Sequence, residues 1–320
     1  MTLHTLPCSW SFKQAMLTYL LRFAAMCSVL CSISVSALAQ VILSAERDSP
    51  AVRDFALELA QTLPSHDIIY MPRSELEQQQ NFTADTQLIL LGPELLDWRL
   101  RLEQSNPPTL MMQVSRVQAR QRIQKKQSKH LSFIWSDPPL ERQIELLKLM
   151  QPDIHHVAVI YSQDSIFLAP EMMRALQAAG MLMHAYVLSE QGWSDHRATR
   201  SLNYLLDSTD ALLGIDDPQV YNPTTIKRIL LSNYARKQAL IGPTAAFIKA
   251  GSLASTYTNK EGWINTLQQL LLTPPDTWPY SMYPTDFKAM VNQQVARSLG
   301  IQQHQPDEIT KLLQQHRLTP

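Results

Sequence analysis

Val157-Ala158-Val159-Ile160-Tyr161 is an unbroken apolar run, framed by His155-His156 before it and Ser162-Gln163-Asp164 after it. Five residues are too few for a buried helix, and the β-branched content favours an extended chain. A strand with no polar alternation is covered on both faces. That is the signature of a parallel sheet sandwiched between helices.

The surrounding sequence has the matching rhythm. Upstream, Pro138 to Met150 predicts a helix with Leu140, Ile144 and Leu147 on one stripe, ended by Gln151-Pro152. Downstream, helices are predicted over 169–179, 197–206, 224–237, 245–250 and 260–272. Strands alternate with them over 183–188, 211–215, 239–241 and 253–257. The same alternation precedes residue 136. Strands are expected at 41–43, 67–70, 87–91, 109–114 and 131–135, with a helix from Pro50 to Thr62 that presents Val52, Phe55, Ala56, Leu59 and Ala60 together. The fold class is therefore α/β, with two Rossmann-like lobes built on parallel sheets.

Beyond residue 272 the rhythm breaks. Thr273-Pro274-Pro275-Asp276 and Trp278-Pro279 read as a stiff crossing, followed by a strand over 286–291 and helices over 293–299 and 306–315. One strand and two helices are too little for a domain, so the tail is expected to complete the first lobe. The expected boundaries are 40–136 plus 277–320 for the N-terminal lobe and 137–276 for the C-terminal lobe. Hinges are expected at 136–138 and 273–284.

The first 39 residues read as a signal peptide. Lys13 and Arg22 precede the apolar stretch Phe23 to Val35, and Ala37-Leu38-Ala39 has the small residues of a cleavage site; Met16 could serve as the start. All three cysteines, Cys8, Cys27 and Cys31, lie within this segment, so the mature chain from Gln40 would need no disulfide. Ser28-Val29-Leu30 before Cys31 does not suit lipid attachment. The expectation is an exported protein of the periplasm, without an anchor.

Bulk properties exclude several functions. The 28 basic and 28 acidic residues become 26 and 28 once Lys13 and Arg22 are removed, which argues against nucleic acid as a partner. The basic stretch from Arg116 to Lys129 alternates with glutamine and reads as a solvated helix face. None of the 8 glycines forms a nucleotide-binding loop, and no cofactor is expected. His155-His156 has no third ligand at metal spacing. No GxSxG or HExxH motif occurs, so the chain is not expected to be an enzyme.

Several segments resemble the substrate-binding proteins of ABC importers, in particular the group that includes tryptophan- and tyrosine-binding members. These are Ser136-Asp137-Pro138 with Leu140-Glu141-Arg142-Gln143-Ile144, the run 157–161 after Gln151-Pro152, Asp210 to Asp217, Lys249 to Ala254, and Val291 to Ile301. The resemblance implies type I periplasmic-binding-protein architecture. It also implies a small amino-acid-like ligand held between the lobes and a membrane permease as partner. The first lobe departs from the pattern, lacking the glycine-rich opening after strand one. That departure keeps a second reading open, a sensory module that presents its state to a membrane receptor. A periplasmic enzyme is the third. A monomer is expected.

In such sheets ligands sit beyond the carboxyl ends of the strands. Asp216 and Asp217 are placed to hold a ligand ammonium or to cap the segment after Pro218. Ser44 and Ser115 either donate to a carboxylate or close their own turns. Trp135 and Tyr161 either stack on a ligand or pack at the hinge. Thr244 opens a helix and is the remaining candidate contact. Ser162, Tyr257 and Glu46 read as local turn or surface residues, and Trp278, Tyr280 and Tyr283 as packing between lobes.

Overall fold

The computed structural model describes residues 39–79, 81–102, 107–123, 130–302 and 304–316. The signal-peptide reading falls on residues that lie outside this set, apart from Ala39, which opens the first strand. Among the described residues no helix is long and apolar enough to cross a membrane.

Two six-stranded sheets form the core. Strands β1 (Ala39–Ala45), β2 (His66–Tyr70), β3 (Gln87–Leu91), β4 (Thr109–Met112) and β5 (Leu131–Ile134) belong to the first sheet. β6 (His156–Tyr161), β7 (Leu182–Val187), β8 (Ala211–Leu213), β9 (Ala239–Ile241) and β10 (Ala254–Tyr257) belong to the second. β11 (Ser281–Met282) and β12 (Lys288–Val291) complete one sheet each. The strand orders are β11-β5-β4-β3-β1-β2 and β12-β10-β9-β8-β6-β7. Every pairing is parallel except β10 with β12. The central strands β3, β4, β8 and β9 are buried throughout, as their apolar runs require, and only Gln87 at the start of β3 and Thr109 at the start of β4 are polar.

Helix Pro50–Thr62 starts where proline is tolerated. Ser49 caps it by accepting the Val52 amide at 3.3 Å. Phe55, Ala56 and Leu59 then pack on Val41 and Leu43 of β1. The opposite face of this sheet packs Leu76, Leu95, Leu96 and Trp98 against Ile42, Leu88, Leu90 and Met111. In the second lobe, helix Leu140–Met150 buries Ile144 and Leu147, and helices Ala169–Ala178, Ala198–Asp207 and Ile226–Tyr234 bury Met172, Leu202 and Ile229 in the same core.

The tail does not follow the sequence-based expectation. Helix Lys260–Leu271, assigned above to the second lobe, buries Ile264, Leu267 and Leu270 against the first-lobe core. Pro274 to Pro279 is no crossing: Trp278 tucks into that core and its indole donates to Leu270 O at 2.8 Å. Only Ser281–Met282 then extends the first sheet, beside β5. β12 runs antiparallel to β10, with Ala254 opposite Val291 and Tyr257 opposite Lys288. The last two helices, Gln293–Ser298 and Pro306–His316, bury Val295, Ala296, Ile309 and Leu313 in the second-lobe core. β10 would otherwise be an edge, and β12 satisfies its backbone. The chain thus passes between lobes three times, after β5, after β10 and after β11.

Candidate functional site

The turns at the carboxyl ends of β4 and β8 meet. Ser115-Arg116-Val117-Gln118 opens helix Arg116–Ile123 with a reciprocal cap. The Ser115 amide donates to Gln118 Oε1 at 3.0 Å, and the Gln118 amide donates to Ser115 Oγ at 3.2 Å. Ser115 Oγ also donates to the Asp216 carbonyl oxygen at 3.4 Å, across the junction. Val117 is buried in the second lobe's core although its helix follows a first-lobe strand.

Arg116 is the centre of this junction. Its amide donates to Asp137 Oδ1 at 2.9 Å, on the first crossing. Its guanidinium donates to Glu171 Oε1 of helix Ala169–Ala178 at 2.6 Å, and to the Tyr283 hydroxyl on the third crossing at 3.1 Å. Farther along the helix, Gln121 Nε2 donates to Asp164 Oδ2 at 2.7 Å, and the Arg120 guanidinium lies 5.1 Å from the Phe167 ring centroid. The stretch read as a solvated face is, over its described part, an inter-lobe contact.

Carboxylates dominate the electrostatics. Asp137 is 8 % exposed, and burial pushes its pKa up to about 6 against the pull of the Arg116 amide and guanidinium. Asp216 is pushed up to about 7, first by burial and then by the Asp137 and Asp217 charges, while the Ser115 hydroxyl draws it down. Burial also raises the phenols of Tyr161, Tyr221 and Tyr283.

Beside this junction lies a groove of about 940 Å³, within the size range of small-molecule sites. Arg116, Arg120, Gln121, Trp135 and Tyr280 line it from the first lobe. Gln163, Asp164, Ile166 and Phe167 line it from the second. Trp135 is stacked on Phe133, with centroids 4.8 Å apart and planes inclined by 15°.

The residues singled out from sequence fall in different places. Trp135 lines the groove. Ser115 and Asp216 meet at the junction, where Asp216 is half-buried. Asp217 is 1 % exposed and accepts the Ser162 amide at 3.2 Å and the Gln219 amide at 2.8 Å, so it ties β8 to β6. Tyr161 is enclosed, its hydroxyl 3.5 Å from Met183 Sδ. Ser44 is buried within β1, in register with Leu90. Thr244 sits half-buried ahead of helix Ala246–Ala250, its carbonyl accepting the Phe247 amide at 3.1 Å. Arg116, Arg120, Phe167 and Glu171 were not singled out; the Ser-x-x-Gln cap at 115–118 was the one local signal of an ordered helix there.

His156 Nδ1 lies 2.9 Å from His184 Nε2. Among the described residues no group of three His, Cys, Asp or Glu is placed to hold a metal ion.

No model of a known protein family matches the chain, and no curated protein matches it. Solved structures do. One is a ligand-free, open substrate-binding protein with adhesive properties from Clostridium difficile, at 14% identity over 85% of this chain and 98% of that one, with a TM-score of 0.62. Another is an ABC domain in complex with L-Trp from Streptococcus pneumonia, at 15% identity over 83% and 96%, TM-score 0.52. A third is a periplasmic ribose ABC transporter from Conexibacter woesei, at 11% identity over 87% and 98%, TM-score 0.50. Matched over nearly the full length of these proteins and built from two helix-covered, mainly parallel sheets, the chain has the type I periplasmic-binding-protein fold.

Proposed function

We propose that the protein captures a small solute between its lobes and that the groove beside Trp135 is where it binds. One observation carries this reading: the groove draws aromatic and charged residues from both lobes, Trp135 and Arg120 on one side and Phe167 and Asp164 on the other. A ligand touching both walls stabilises the arrangement in which they face each other, by its differential affinity for it. The wall chemistry suits an amino-acid-like molecule. Arg120 offers a guanidinium to a carboxylate, Asp164 a carboxylate to an ammonium, and the rings an apolar surface.

On this reading the protein works in the periplasm after removal of its leader, as a monomer, and delivers its cargo to the permease of an ABC importer. The test is a thermal-shift screen of refolded protein against amino acids, nucleosides and other small metabolites. A ligand at 100 times its Kd adds about 2.7 kcal/mol of stability, a clear rise in Tm. A hit weakened by Trp135→Ala supports the groove. No hit across the library overturns solute capture.

The second reading is a module that reports its conformation to a membrane receptor. The direct bridges between lobes at Arg116, Ser115 and Gln121 favour it, because they give the lobe arrangement a determinant of its own.

A further inference from the structure

Helix Arg116–Ile123 has two faces, and each is bound to a different lobe. Residues 116, 117, 120 and 121 fall on one stripe of an α-helix, and residues 119, 122 and 123 on the opposite one. The stripe of 119, 122 and 123 holds the first lobe. Ala119 is buried in the cluster of Leu88, Leu90 and Met111, and Ile123 packs against it. Arg122 Nε donates to Asp97 Oδ2 of helix Pro93–Arg101 at 3.3 Å. The other stripe holds the second lobe. Arg116 reaches Glu171, Val117 lies in that lobe's core, Arg120 lies over Phe167, and Gln121 reaches Asp164.

The receiving residues are anchored within their own lobe. Asp164 also accepts Gln219 Nε2 from the turn after β8, and its amide donates to Ser162 Oγ at 3.1 Å. Phe167 packs against the second-lobe core, and Glu171 stands in the first turn of helix Ala169–Ala178. Arg116 adds a constraint at the hinge. Its amide donates to Asp137 on the first crossing and its guanidinium to Tyr283 on the third, so one side chain and its backbone bridge the lobes and grip two of the passages between them. Rotating one lobe against the other breaks contacts on one stripe of this helix or the other.

Relative motion is the ordinary expectation for two lobes in one chain. We infer that helix Arg116–Ile123 is a built-in clasp, which holds the two lobes and both walls of the groove in one arrangement with no ligand present. The residues it joins, Arg116, Arg120 and Gln121 on one wall and Asp164 and Phe167 on the other, are also residues that line the groove. The groove is therefore preformed, and anything that enters it is spared the ordering of its walls. The clasp concerns the lobes and stands whether or not the groove takes a solute.

Small-angle X-ray scattering of the full chain without added ligand tests it. Glu171→Gln combined with Gln121→Ala weakens both polar bridges and leaves the first-lobe stripe untouched. This double variant is expected to have a larger radius of gyration than the wild type. Arg116→Glu combined with Glu171→Arg exchanges the charges and is expected to return to the wild-type radius. Recovery on exchange distinguishes the bridge itself from damage at either position. Far-UV circular dichroism separates lobe opening from unfolding. A Glu171→Gln, Gln121→Ala protein as compact as the wild type overturns the clasp, and so does a charge exchange that stays expanded. Should the first double variant fail to fold, Arg120→Ala with Gln121→Ala takes its place with the same expectation and the same overturning result.

Discussion

Arg116 and Glu171 are joined through the two terminal guanidinium nitrogens and both carboxylate oxygens, across the two lobes. Arg116 is 17% and Glu171 33% exposed at the side chain, so the pair lies between a surface ion pair and a buried one. Glu171→Gln is expected to cost about 1–3 kcal/mol, more than an exposed pair and less than a fully buried one. Arg116→Ala should cost more, since it also strips Tyr283 of its donor. Urea denaturation of the two variants at pH 6 checks the order.

Asp217 and Asp216 are adjacent in sequence but should respond in opposite ways. Asp217→Ala leaves the Gln219 amide unpaired and takes from the Ser162 amide one of its two acceptors, Ser165 Oγ at 2.9 Å remaining, at a cost of roughly 1–3 kcal/mol. Asp216→Asn removes a carboxylate that burial and its neighbours hold at a pKa of about 7, well above 3.8. Its contribution to stability is fully present below pH 3.8 and is lost as pH rises to 7. The variant should therefore match the wild type near pH 4 and exceed it by about 2 kcal/mol at pH 8. Thermal melts of both proteins across this range give the difference curve.

Gly214 cannot carry a side chain. A Cβ there would lie 2.7 Å from Pro243 Cδ and 3.1 Å from Ile241 O, a ring and a backbone atom that have nowhere to go. Gly214→Ala is expected to lose about 1–3 kcal/mol through overpacking between β8 and β9. Gly180→Ala is the comparison: its φ is +79° but a Cβ would meet nothing within 4 Å, so only backbone strain of about 1 kcal/mol applies. Chemical denaturation should rank the two in that order.

For the groove, Arg120→Ala should weaken an amino-acid-like ligand by about tenfold, the loss of one charge-assisted contact. Melting temperature without ligand should hardly change, because Arg120 is exposed. Titration calorimetry with the compound found by screening checks both statements.

Much of the architecture was legible because burial leaves a mark on composition. β3 and β9 were placed to the residue, and β6 to within one, since a strand enclosed on both faces carries an apolar run with at most a single polar residue at its start, Gln87 in β3 and His156 in β6. The tail was misplaced for a related reason. The apolar stripe of helix Lys260–Leu271 says that it packs on something, but not on which of two equally apolar sheets. The two-residue β11 has no pattern at all. The site was harder still. Strand ends pointed to Trp135 and to the Asp216–Asp217 turn, yet Arg116 and Phe167 matter only through what they meet across a gap of tens of residues. A basic run and a lone phenylalanine read the same whether they face water or another lobe.

The three passages between lobes also set an order of assembly. The outermost strand beside β5 is Ser281–Met282, and the one beside β10 is Lys288–Val291. Neither sheet can acquire its sixth strand until the segment from Ser281 to Val291 has been synthesised. A polypeptide emerging from the ribosome would expose the edges of β5 and β10 until then.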